Sequence, residues 1–161
     1  MSTFPALENS HLLVFQVIEN LPESDWEVPG VTGNLSVKET IAHLVAYERL
    51  IVDALQTFSG HEPTSELLRW ASNSEQYQLK ELEEQRYATA QQIEDEFQDL
   101  QVQANSLLEL LSNEQVWRHG TLPWYKPEAS LADFLEVMVR HMQSHCAQIT
   151  KFRQNGAASS M

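Results

Sequence analysis

Two histidines four residues apart, His141 and His145, are the most chemically suggestive pair in this sequence. On a helix that spacing sets one imidazole a turn above the other on the same side, so both can close on one metal ion. They lie in the run Arg140-His141-Met142-Gln143-Ser144-His145-Cys146-Ala147-Gln148-Ile149. His145 falls in a stripe of Leu131, Leu135, Met138, Met142, Ile149 and Phe152, whose alternating steps of four and three mark a core-facing seam. His141 flanks that seam with Phe134, Val137 and Gln148. An imidazole placed there must be satisfied by a hydrogen bond or by a metal. Met142 stands where an H-E-x-x-H metalloprotease carries its glutamate, so a protease of that kind is excluded.

Elsewhere the chemistry-bearing residues read as packing or surface groups. His11 and His43 lie in helical segments and, on their own, fit helix-packing roles; His61 and His119 fall in loops and should be solvated. Glu48 sits inside the apolar stripe Val37, Ile41, Leu44, Ile51 and Leu55, an unexpected place for a carboxylate. Cys146 is the chain's single cysteine, so no internal disulfide can form. It lies about 100° around the helix from His145, which suits a small packing side chain.

Four long amphipathic helices are needed to position these residues. The first runs from Pro5 to Leu21, with proline suited to a first helical turn. A turn-rich stretch, Pro22 to Asn34, follows, with Trp26 covering a bundle end. Ser36-Val37-Lys38-Glu39 is a capping box that opens a second helix reaching Phe58. After a loop and a short helix over Glu66 to Ala71, whose Trp70 belongs to the core, a third helix is expected from Glu75 to Leu111. Its seam is Ala90, Ile93, Phe97, Leu100, Ala104, Leu107 and Leu111, and the acidic run Glu81 to Glu84 is a solvated face. Ser112 to Ala129, rich in aromatics and proline, reads as a structured loop over one end. Ser130-Leu131-Ala132-Asp133 caps the last helix, which Gly156 ends, leaving 157–161 as a loose tail. The expectation is one all-α domain over 1–156, a four-helix bundle, the kind of core in which metal sites are built from facing helices.

Composition narrows the partners. Ten Lys+Arg against 23 Asp+Glu give a net charge of -13, a surface that repels nucleic-acid backbones and anionic membranes. No apolar run reaches the roughly 18 residues of a membrane span. The N-terminal residues lack a basic region followed by an apolar stretch, and with the lone cysteine this points to the cytoplasm.

Two segments together resemble a known family. Ser36-Val37-Lys38-Glu39-Thr40-Ile41-Ala42-His43-Leu44 is similar to the second-helix motif of the DinB/YfiT-like superfamily, and His141-x-x-x-His145-x-x-Gln148-Ile149 to its last-helix motif. Members often carry Trp before the serine of the first motif, where this chain has Leu35. The resemblance implies an up-down-down-up bundle and a divalent metal held by His43, His141 and His145. Three neutral imidazoles suit zinc or nickel first, with iron and copper also possible, rather than magnesium or calcium. It also implies thiol chemistry, since the superfamily includes transferases and isomerases that use low-molecular-weight thiols. A metal-bound external thiolate would then attack an electrophilic carbon. Glu48 or Gln148 could orient a ligand or bound water from behind the site, Tyr47 could donate a proton there or simply pack in the core, and Arg140 or Arg49 could meet a carboxylate of the thiol. A two-fold homodimer is expected as well. The alternatives are a non-catalytic metal-binding or stress-associated interaction protein, and a metal-free bundle whose histidines only hydrogen-bond.

Overall fold

The computed structural model describes residues 3–75, 77 and 88–159, and among these the chain is helical with no strand. Helix α1 spans Pro5–Ile18 and buries Leu7, His11, Val14, Val17 and Ile18. It stops three residues short of the expected Leu21. Asn20 takes a left-handed conformation (φ 57°), and Pro22 disfavours helical geometry at the residue before it. Trp26 is buried, as expected of a residue closing a bundle end, and its carbonyl accepts the backbone N–H of Lys38.

Helix α2, Val37–Gln56, begins with the reciprocal Ser36–Glu39 capping box read from the sequence and passes into a 3-10 turn over Thr57–Ser59. Helix α3, Ser65–Ser72, is capped by the Thr64 hydroxyl, which also donates to Asp53 on α2. That second bond ties α3 to α2. Burial holds the Asp53 carboxyl above its ordinary pKa, against the opposing Thr64 hydrogen bond.

The third long helix is shorter than expected. Helix α4 runs Ala90–Glu109, because Thr89 and Gln92 form a capping box of their own and Ala88 and Thr89 lie outside the helix. The expected acidic run and the rest of 76 and 78–87 fall outside the described residues. The buried face of α4 is Ile93, Phe97, Ala104 and Leu108, a 3.6-residue period that replaces Leu107 of the expected seam with Leu108. The next segment, expected as loop throughout, contains a short helix: α5, Asn113–Trp117, capped by a Ser112–Gln115 box. Helix α6 spans Leu131–Ser159 and opens with reciprocal Ser130–Asp133 hydrogen bonds of 2.9 and 3.1 Å. It runs through Gly156 to Ser159 rather than ending there, since Gly156 does not adopt the positive φ of a glycine cap.

One core gathers these helices. α2 packs most closely on α4 and α1 on α6, while α2 and α6 meet over a smaller contact where the histidines lie. Trp70 is buried, stacking on Tyr125 at 5.4 Å and meeting Phe134 edge-on. No helix among the described residues is long and apolar enough to cross a membrane.

Candidate metal centre

His141 and His145 project from consecutive turns of α6, and His43 faces them from the buried side of α2. All three present Nε2 to one point: His43 Nε2 lies 2.8 Å from His141 Nε2, which lies 3.2 Å from His145 Nε2. The rings meet nearly edge to face, with interplanar angles of 68°, 80° and 85°, so three lone-pair axes can converge. Nitrogens about 2.1 Å from one ion would sit roughly 3.0–3.4 Å apart for right-angled to tetrahedral geometry. The observed separations are close to that spacing. Among the described residues this is the group of His, Cys, Asp and Glu side chains that could hold a metal ion.

The surroundings favour neutral imidazoles with free lone pairs. Burial first, and then the neighbouring His43 and His145, hold His141 down to a pKa of about 3. Burial and His43 also lower that of His145, against the opposing effect of its hydrogen bond to Gln148. The Gln148 oxygen Oε1 lies 2.7 Å from His145 Nδ1. A carbonyl oxygen only accepts, so Nδ1 carries the hydrogen and Nε2 is left bare toward the centre. The same Oε1 accepts the Thr32 hydroxyl at 2.7 Å. Tyr47 stacks on the His141 ring at 4.1 Å and 26°, and tilts against His43 at 4.7 Å, so it braces two of the three rings. The Nδ1 of His141 is buried with no hydrogen-bond partner among the described residues.

Glu48 does not stand behind the site. It follows His43 by five residues, which turns it about 140° around α2 toward α1 and α4. There its Oε1 lies 2.5 Å from His11 Nε2, with both side chains essentially inaccessible to solvent. His11 Nδ1 donates to Asn105 Oδ1 at 3.1 Å, and Asn105 in turn donates to Gln101. The unexpected carboxylate in the α2 stripe thus has its partner on α1. A signal for this existed: an internal carboxylate requires a buried donor, and His11 lies between Leu7 and Val14 on the apolar face of α1. Thr32 carried no such signal, since it lies 116 residues from Gln148 in a turn.

The other candidates lie away from the three rings. Arg140 pairs with Glu136 at 2.5 Å on an exposed surface, and Arg49 pairs with Glu96. His61 and His119 are exposed, the latter donating from Nδ1 to the Glu128 carbonyl at 2.9 Å. Cys146 is buried, and burial pushes its thiol up to about 12. It is a packing group, not a nucleophile.

Comparison with known proteins agrees with this architecture. No curated protein matches the chain. Among solved structures, a protein from Streptococcus pneumoniae superposes with a TM-score of 0.76 at 12% identity, covering 93% of this chain and 87% of that one. An uncharacterized protein from Clostridium difficile 630 gives the same TM-score at 14% identity, covering 93% and 92%. At such identities the likeness is one of fold. The family model of the DinB superfamily matches residues 6–149, a span that includes all three converging histidines, and the chain belongs to that superfamily.

Proposed function

We propose that this chain binds one divalent transition metal through His43, His141 and His145 and uses it as a thiol-dependent S-transferase. The observation that carries the reading is the meeting of three Nε2 atoms. A hydrogen on His141 Nε2 cannot point at both neighbours, whereas one cation can serve three lone pairs at once. Zinc and nickel fit an all-imidazole set best, with iron a further possibility. Such an ion, when bound, leaves a coordination position for an external ligand and lowers the pKa of a bound thiol or water. The protein's own part is to hold three neutral imidazoles in place. Tyr47 braces the rings of His141 and His43, and Gln148 fixes the tautomer of His145.

The engagement of Glu48 with His11 bears on the reaction. Among the described residues the candidate metal group contains histidines alone, without a carboxylate to act as general base. Thiol transfer suits that arrangement, since a thiol acidified by the ion needs no strong base to become a nucleophile. The same observation also favours the second reading, a metal-binding protein without catalysis. Turnover separates the two. Metal-loaded protein should consume glutathione, bacillithiol or mycothiol in the presence of a chlorobimane electrophile faster than the His141→Ala variant. Equal rates for every thiol would leave the non-catalytic reading. We further propose a cytoplasmic homodimer that does not bind nucleic acid, in keeping with the charge of -13. Sedimentation showing only monomer at micromolar concentration, or salt-sensitive submicromolar binding to duplex DNA, would contradict it.

A further inference from the structure

Thr32 lies in the connection between α1 and α2, far in sequence from the two histidines of α6. Its turn is built tightly. Gly30 and Val31 donate backbone N–H groups to the Leu35 carbonyl at 3.2 and 2.9 Å, and Leu35 donates back to Thr32 at 2.9 Å. Gly33, at φ +59°, lets the chain reverse, and since no atom lies within 4 Å of a Cβ placed there, the glycine is required by conformation rather than by space. The buried Val31 side chain anchors the turn to the core. The Thr32 hydroxyl is therefore presented from a fixed backbone, and it donates to Gln148 Oε1 at 2.7 Å.

That oxygen also accepts from His145 Nδ1 at 2.7 Å. Two donors fill both lone pairs of one amide oxygen and hold it, rather than the amide NH2, against the histidine. If the amide turned over, its NH2 would face Nδ1, the ring hydrogen would move to Nε2, and the lone pair aimed at His43 and His141 would be lost. We propose that Thr32 is a positioning residue for the three-histidine centre: through Gln148 it sets the tautomer of His145 and thereby tunes metal affinity. This rests on the metal-binding reading for its effect on affinity, but not for its effect on the tautomer.

The test has two readouts. The first is the tautomer of His145 in metal-free protein, from long-range proton–nitrogen NMR of the imidazoles. The second is the affinity for zinc by chelator competition at fixed pH. Thr32→Val keeps the branched shape and removes the hydroxyl; it should shift His145 away from the Nδ1–H form and weaken zinc binding roughly tenfold, the lower end of what partners behind a metal ligand command. Thr32→Ser, which keeps the hydroxyl, should stay close to the parent in both. In a Gln148→Leu background Thr32→Val should have no further effect, because the two act as one unit. An unchanged tautomer and affinity in Thr32→Val would overturn the proposal, as would a loss that Thr32→Ser fails to restore. If the parent protein binds no zinc, the metal reading fails and the tautomer alone decides the role of Thr32. Should Thr32→Val disturb the turn, Thr32→Ala gives the same comparison.

Discussion

Replacing Glu48 by alanine separates a packing role from a metal-supporting one. Glu48 and His11 are wholly buried, their contact is 2.5 Å, and Asn105 fixes the hydrogen on the far side of the imidazole. The Glu48 carboxylate is thus the partner of His11 Nε2. Glu48→Ala strands His11 Nε2 in an apolar core, and breaking such a buried pair from one side costs about 3–5 kcal/mol. For a chain of 161 residues, each kcal/mol moves Tm by about 2–4 °C, so a fall of roughly 6–20 °C is expected. Glu48→Gln should lose far less, about 1–3 kcal/mol, because the amide can donate to Nε2 and leaves only one N–H unmade. Both variants should keep metal affinity near the parent value, since Glu48 faces away from the three histidines. Thermal unfolding by circular dichroism and a zinc titration on the same samples read both quantities. A Tm for Glu48→Ala within 2 °C of the parent, or lost metal binding at unchanged stability, would refute this placement; the tolerance is roughly one kcal/mol or less.

Two further outcomes follow from the site's electrostatics. His141 has its folded pKa depressed to about 3 from an ordinary 6.5, so the unfolded chain takes up its proton first as pH falls. The stability of metal-free protein should then be fully present above about pH 6.5 and decline progressively toward pH 3, and His141→Ala should flatten that decline in Tm measured across the range. Cys146, pushed up to about 12 by burial, should resist thiol reagents at pH 8 until the protein unfolds, and Cys146→Ser should leave metal affinity unchanged; rapid labelling of folded protein would contradict its packing role.

Much of this could be read from local patterns. The capping boxes at Ser36 and Ser130, the stripe of α6 and the proline opening α1 are short-range signals, and the helices they start are present. The two histidines of α6 come together because four residues make one turn. Long-range features were harder to read. His43 alone gave no reason to meet His141, and only the shared motif order suggested it. Glu48 lies in the α2 stripe, as its spacing requires, but a stripe is an apolar sector wide enough to touch several neighbours, and the sequence does not say that the donor is His11 on α1 rather than a group at the histidine cluster. Thr32 meets Gln148 through a turn whose direction depends on two glycines and on the packing of Val31. The early end of α1 and the late start of α4 are likewise decisions of turn chemistry at Asn20 and Thr89, where helix-forming composition continues on both sides.

Titrating untagged, metal-free protein with zinc, and following stoichiometry, affinity and Tm together, asks whether three imidazoles from two helices hold one ion. One ion per chain is expected. Zinc at a thousandfold excess over its Kd should stabilise the fold by about 4 kcal/mol, raising Tm by roughly 8–16 °C. Alanine at His43, His141 or His145 should each lower affinity by more than roughly a hundredfold, beyond what partners behind a ligand command, with helical content retained. Parent protein that takes up no zinc or nickel, or a His43→Ala variant that binds as the parent does, would contradict it.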